Sequence, residues 1–367
     1  MHKNGFRITK FLSKNGYDWW WHSFIATNPK TGELKPFFIE YYVINPGLWH
    51  GQIVWGQQKE SKAVQKKPCY AMLKVGTWGE DKVQLHNFYP IPDFDASTKE
   101  LHCRIGSNIL SDTALSGEVV VSELDQKSFT ERMSDSGSMQ WKLTVEKELQ
   151  FDVGYGSSRI CNILGVFSMY WHVQGMRCKY SGEIIFNNEK YLVYPDTSFG
   201  YQDKNWGKDY TNPWIWLNCN NFISKKTGQK VDASLDLGGG CPKIFGISLQ
   251  KRILTAFYYE GEFIEFNFSK FWRKSKQNFF NKDDESYIYW NVISENRKHR
   301  IEVDFKCEKK NMLHINYENP KGNKNFDKLW NGGYAEGTLK FYKKGASGFQ
   351  LVDELEGSLG GCEYGEY

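Results

Sequence analysis

Residues 196–222 read Asp-Thr-Ser-Phe-Gly-Tyr-Gln-Asp-Lys-Asn-Trp-Gly-Lys-Asp-Tyr-Thr-Asn-Pro-Trp-Ile-Trp-Leu-Asn-Cys-Asn-Asn-Phe, with acids, amides, two lysines and three tryptophans interleaved. Tryptophan is costly to place unless its ring is buried and its indole N–H finds an acceptor. Rings mixed with hydrogen-bonding groups suit the wall of an apolar pocket that has a few convergent polar atoms. Asp203 lies between Tyr201 and Trp206, next to Lys204 and Asn205. A carboxyl among aromatic walls loses hydration, which favours its neutral form and raises its pKa. Such a group can deliver a proton near neutral pH, and the negative faces of the rings can stabilise the cation that results. Asp203 is therefore the expected acid, with Lys204 and Asn205 positioning it; an ordinary Asp203–Lys204 ion pair is the competing reading. His172 is a second proton-transfer candidate, although a lone histidine on a strand more often has a structural role. Tyr201, Trp206, Trp214, Trp216, Asn218 and Asn220 are expected to line the cavity. In Trp19-Trp20-Trp21 the strand period puts Trp19 and Trp21 on one face, toward the pocket, and Trp20 on the other.

Other chemistries find little support. The histidines form no His-x-x-x-His or His-x-His pair and the eight cysteines no Cys-x-x-Cys, so no metal is expected. Gly-x-Ser-x-Gly is absent, and Gly238-Gly239-Gly240 is not followed by the Gly-Lys-Ser/Thr of a phosphate loop. That glycine run reads as a tight turn or close backbone approach at a barrel rim. A net charge of +4 without a basic stripe gives no case for nucleic acid. The N-terminus lacks a secretory leader and no apolar run reaches bilayer length, so a soluble cytoplasmic protein with reduced thiols is expected.

The elements that must carry these residues are strands. Ile301 to Glu308, Trp141 to Glu146 and Ile264 to Phe268 alternate apolar with polar residues, the pattern of antiparallel sheet with one wet face. Thr31-Gly32, Asn187-Asn188 and Thr227-Gly228 mark hairpin turns. Short helices are expected near 123–133 and 323–330. An internal echo sets the organisation. Trp19 to Ile25 runs through Thr31-Gly32 into Pro36 to Val43, and Trp214 to Asn220 runs through Thr227-Gly228 into Lys230 to Leu237. Two related all-β units follow, closed into barrels because so many strands would otherwise leave long edges. The boundary is expected in the Gly/Ser-rich stretch 154–158, giving domains 1–155 and 156–367.

Asp203-Lys204-Asn205-Trp206-Gly207, followed by Trp214 to Phe222 and Gly238-Gly239-Gly240, resembles the acidic-Lys-Asn-Trp-Gly signature of the tocopherol cyclase family. Asp18-Trp19-Trp20-Trp21, Tyr42 to Pro46 and Tyr334 to Leu339 extend the likeness over most of the chain. The plant enzymes carry Glu at the position of Asp203 and Gly at that of Lys208. The resemblance implies two lipocalin-like antiparallel barrels in tandem and proton-initiated ring closure on a prenyl alkene, without metal or redox cofactor; carotenoid hydratases and fungal pericyclases are more distantly similar. The expected function is a cofactor-independent cyclase, or a related hydratase or isomerase, for an apolar prenyl-like or polyene substrate. The alternative is a non-catalytic carrier of a lipid or aromatic small molecule. Either partner is apolar and compatible with peripheral membrane contact.

Overall fold

Alternating segments become strands with the burial their pattern predicts: Ile301, Val303, Phe305 and Cys307 are buried within the strand His299–Glu308, as are Trp141, Leu143 and Val145 within Gly137–Phe151. A computed structural model describes residues 3–58, 61, 63–128, 134–153, 165–267, 275–323 and 325–366. Its strands form two large antiparallel sheets. The first has 12 strands drawn from Tyr17 to Gly207, and the second has 11 drawn from Trp214 to Gly365. Each curls around its own apolar core, centred on residues such as Trp20, Leu73 and Trp141 in the first and Leu217, Phe257 and Trp290 in the second. These are the two lipocalin-like barrels in tandem. A third, ring-rich core that includes Trp19, Trp21, Trp171, Trp214 and Trp216 lies between them.

The predicted turns join paired strands. Asn187 and Asn188 both have positive φ (48° and 65°), and they link Phe186 to its partner Glu189. This is the two-residue turn whose twist matches the strands it joins. Gly32 and Gly228 take the left-handed backbone at φ 76° and 69°, which glycine adopts without strain.

The echo is also a repeat of topology. In the first sheet Val83–Tyr89, Tyr70–Thr77, Leu34–Ile44 and Tyr17–Thr27 lie side by side; in the second, Glu262–Asn267, Arg252–Tyr259, Ala233–Gly240 and Trp214–Cys219 do so. The far side of the Tyr17–Thr27 strand pairs with the motif strand Gly200–Gly207, and that of Trp214–Cys219 pairs with the closing strand Gly348–Gly365. Asp203 is thereby opposite Trp21, and Glu363 is opposite Trp216.

Two expectations differ from what is observed. The strands Met169–Phe186, Glu189–Val193 and Gly200–Gly207 are hydrogen-bonded into the first sheet, so the change of sheet falls between Gly207 and Trp214. The stretch 154–158 lies outside the described residues. Composition marked a break in pattern, whereas sheet membership is set by which edge later strands pair with. A helix occupies Glu123–Ser128, while 129–133 are outside the described residues, and the helix expected at 323–330 is instead the start of the strand Asn325–Gly345. Pairing of its Leu329 and Trp330 with Gly365 and Tyr364 overrides a weak local preference.

Candidate active site

The motif strand is buried along its whole length, because one face looks into the first barrel and the other toward the second. Alternation then separates the motif. Tyr201, Asp203 and Asn205 face the inter-barrel core, while Gln202, Lys204 and Trp206 face the barrel interior. The same holds for the Tyr17–Thr27 strand: Trp20 packs in the barrel core, and Trp19 and Trp21 belong to the inter-barrel core.

Asp203 accepts hydrogen bonds on Oδ2 from the indole N–H of Trp171 at 2.7 Å and from the hydroxyl of Tyr201 at 3.2 Å. Its Oδ1 is buried and has no hydrogen-bond partner among the described residues. Burial pushes its pKa up to about 8, only partly opposed by the Trp171 hydrogen bond, so the carboxyl keeps its proton at neutral pH. One oxygen is thus held and the other is free.

Glu363 lines the same cavity. Its Oε2 accepts the indole N–H of Trp214, and its Oε1 accepts Asn331 Nδ2 at 2.6 Å. Asn331 is itself fixed by the Trp78 indole N–H on its Oδ1 at 2.7 Å. Burial raises Glu363 to about 7, against the donors from Trp214 and Asn331. With a donor on each oxygen, Glu363 is equipped to be the ionised member of the pair. A third carboxyl, Asp236, takes the Trp216 indole N–H at 3.1 Å and is pushed well above the usual carboxylate range by burial. Glu40, next to Trp21, is neutralised by Lys74 at 3.0 Å and accepts the Tyr317 hydroxyl at 3.2 Å.

Ring faces complete the enclosure. Trp19 stacks on Tyr317 at 5.0 Å, Trp21 on Phe38 at 5.1 Å, and Tyr201 leans on Trp216 at 4.8 Å. The space left between Asp203 and Glu363 is only about 10 Å³, room for about one water. Such an arrangement can give up a proton at Asp203, receive one at Glu363 and stabilise positive charge between them.

The expected site residues therefore divide. Asp203, Asn205, Tyr201, Trp19, Trp21 and Trp216 share the inter-barrel cavity, and Trp214 reaches it by holding Glu363. Lys204 does not position Asp203. It forms a fully buried ion pair with Asp18 inside the first barrel, 3.7 Å over the Trp20 ring, and burial lowers its pKa to about 8. Trp206 stacks on Tyr170 at 5.4 Å in the barrel core rather than lining the cavity. His172 faces a separate pocket of about 540 Å³ with Lys3, Asp112 and Lys147; burial lowers it to about 4, which leaves it neutral. Asn218 and Asn220 are ties between the sheets. Both Nδ2 groups donate to the Met176 carbonyl, at 3.0 and 3.1 Å, and Asn220 also reaches that of Gly200 at 3.1 Å. In each departure the residue lies one position out of phase with Asp203 or spends its polar atoms on backbone.

Trp171 and Glu363 were not anticipated. The echo contained the signal for Glu363, since it pairs with Trp216 as Asp203 pairs with Trp21. Trp171 sits opposite Asn205 in register, two residues along from Asp203, a placement that no local spacing announces. Among the described residues no group of three or more His, Cys, Asp or Glu is disposed to hold a metal ion, and no helix is long and apolar enough to cross a membrane.

A family model described as tocopherol cyclase-like matches residues 109–366, most of the chain and all of the motif and closing strands. The chain belongs to the tocopherol cyclase-like family. Within it, similar relatives are the probable chloroplastic tocopherol cyclase of Oryza sativa subsp. japonica, 26% identical over 139 residues, and the chloroplastic tocopherol cyclase of Zea mays, 27% identical over 139 residues. Those stretches cover 38% of this chain and 27% of each relative, so the match spans about a quarter of their length. Among solved structures, kievitone hydratase from Nectria haematococca aligns over 98% of this chain and 94% of its own at 12% identity and TM-score 0.45. A putative AttH from Nitrosomonas europaea aligns over 93% and 92% at 11% identity and TM-score 0.42.

Two measurements check this assignment of faces. Replacing Lys204 by Met leaves Asp18 buried without its partner and is expected to cost about 3–5 kcal/mol of stability in chemical denaturation; a loss below about 1 kcal/mol would contradict the buried pair. The second concerns pH. The unfolded chain releases the Asp203 proton near pH 4, and the native state holds it up to about 8. Between those values the native state binds more protons, so this contribution to stability is complete at low pH and is lost as pH rises, at up to about 1.4 kcal/mol per unit. Asp203→Asn cannot titrate, and its amide oxygen can still accept from Trp171 and Tyr201. The stability of the unsubstituted protein relative to Asp203→Asn should therefore fall from pH 4 to 8, and a flat difference would refute the raised pKa.

Proposed function

We propose that this protein is a cofactor-independent cyclase or hydratase that acts by proton transfer on an apolar prenyl-like or polyene substrate. The observation that carries this reading is the half-tethered carboxyl of Asp203, one oxygen held and the other without a hydrogen-bond partner, in a cavity walled by aromatic faces where burial raises its pKa to about 8. Asp203 Oδ1 gives its proton to one alkene carbon; the π pair becomes the new C–H bond and the neighbouring carbon becomes cationic. The carboxylate left behind keeps the Tyr201 hydroxyl as a donor on its other oxygen. Positive charge on the substrate is met by the faces of Trp19, Trp21 and Trp216 and by the Glu363 carboxylate. A hydroxyl then attacks the cation as its proton passes to Glu363. A hydroxyl within the same molecule closes a ring, and water gives hydration. The net transfer from Asp203 to Glu363 is reversed through solvent between turnovers. Neither step calls for a Lewis acid or a redox partner. Membership of the tocopherol cyclase-like family supports an enzyme of this kind. A non-catalytic carrier would account for an apolar interior, but has no need of a buried carboxyl with one oxygen left without a hydrogen-bond partner.

Prenylated phenols and polyenes assayed by mass spectrometry in D2O should gain one non-exchangeable deuterium on carbon per turnover. Asp203→Asn should lower kcat/KM by at least about 100-fold with the fold intact, and full activity in that variant would end the reading. The rate should follow a bell with its acid limb near 7, from Glu363, and its alkaline limb near 8, from Asp203. Glu363→Gln should slow turnover and remove the acid limb; an unchanged limb would take the proton-accepting role from Glu363.

A further inference from the structure

The Asp203 cavity holds about one water, too little for any alkene. Directly beside it is a larger, apolar groove of about 240 Å³ that contains Met169, Trp171, Trp214, Gly238 and Leu254. Trp171 and Trp214 line the groove and stand between it and the two carboxyls that line the smaller cavity. These rings touch edge to face at 5.9 Å between centroids. On the groove side they present carbon, and on the other side their indole nitrogens hold Asp203 and Glu363.

The glycine run has its explanation here. Gly238 pairs with Leu254 in register, and a Cβ on Gly238 would lie 2.7 Å from the Trp171 ring, so the bare backbone leaves that ring its place. The groove's outer side is framed by the short ribbon Lys243–Ile244 and Ile247–Ser248. Ile244 lines the groove, and the neighbouring Phe245 and Ile247 are exposed.

We propose that this groove binds the isoprenoid chain of the substrate, and that Trp171 and Trp214 form a movable partition that swings aside to bring the reacting alkene to Asp203 and Glu363. The proposal rests on the proton-transfer reading above for the identity of the chain. The occupant follows from chemistry: the lining offers carbon surfaces and few polar atoms, which suits a hydrocarbon chain better than a ring bearing several hydroxyls. The size fits a chain portion rather than a whole drug-sized ligand, whose pockets run from about 300 Å³ upward. Displacing either indole also removes a donor from one carboxyl, so substrate entry and the state of the acid–base pair are linked. Loss of the Trp171 donor favours the protonated form of Asp203, the form that must act.

Farnesol binding measured by calorimetry tests the groove without requiring turnover. The unsubstituted protein should bind farnesol, Asp203→Asn should bind it within threefold as tightly, and Leu254→Trp should weaken it at least fivefold. Absence of binding to the unsubstituted protein, or a smaller effect of Leu254→Trp in protein with unchanged circular dichroism, overturns the groove assignment. A photoreactive farnesol with its diazirine at the hydrocarbon end provides the same decision without a variant. Adducts should map to peptides carrying Met169 or Leu254, and adducts confined to other regions overturn the assignment. For the partition, Trp171→Ala should let a probe with the diazirine at the hydroxyl end label Tyr201 or Trp216; labelling that stays within groove peptides removes that role. Full turnover by Asp203→Asn with normal farnesol binding would refute the acid and leave the groove standing.

Discussion

Three carboxyls, those of Asp203, Glu363 and Asp236, are sealed between two barrels, and each receives the N–H of one indole, from Trp171, Trp214 and Trp216. Much else follows from this arrangement. An isolated carboxylate in such a place is too costly to keep, so the group must be hydrogen-bonded, paired or protonated. Indoles supply a single donor without charge, which orients a carboxyl yet leaves burial to hold its proton. A lysine or arginine at the same distance would do the opposite, favouring the ionised form. Glu40 shows how far that effect goes: its ion-pair partner Lys74 pulls its pKa down, yet burial still leaves it above the usual carboxylate range.

The repeat explains why two of these carboxyls share a cavity. Each barrel begins with an aromatic strand, and each pairs that strand with one contributed from far along the chain, Gly200–Gly207 or Gly348–Gly365. Packing the inner faces of the two barrels, with Tyr201 on Trp216 and Trp171 against Trp214, brings the partner strands' acids together. The equivalence then breaks in the surroundings. Asp203 has its donors on one oxygen and Glu363 has one on each, so a related pair of positions is given unlike environments, on which the proposed division into acid and acceptor rests. Divergent environments around paired carboxyls are a recurrent basis for assigning proton-transfer roles.

Dense packing has a consequence for access. Interfaces made of stacked rings leave few voids, and the space beside Asp203 is close to the smallest that holds a water. The same rings that raise the pKa of Asp203 by excluding solvent leave no room beside it for anything larger than a water. Room exists one ring away, where glycines take the place of side chains along the Ala233–Gly240 strand.

Much was legible in the chain itself. Period-2 alternation around Ile301 and Trp141 determined strands, because a half-buried sheet needs side chains of opposite polarity on its two faces. Asn187-Asn188 and the Thr-Gly pairs determined turns through their tolerance of positive φ. Ring density around Asp203 determined that a carboxyl would lose its hydration and keep a proton. Phase within the motif was harder, since a strand buried on both faces shows no polar alternation by which to sort Asp203 and Asn205 from Lys204 and Trp206. Tertiary structure alone decided that Lys204 answers Asp18 inside a barrel, that His172 looks away from the site, and that the motif belongs to the first sheet. It alone brought Glu363 to Asp203, because pairing of strands remote in sequence is governed by edge complementarity and core packing, and no local spacing encodes it.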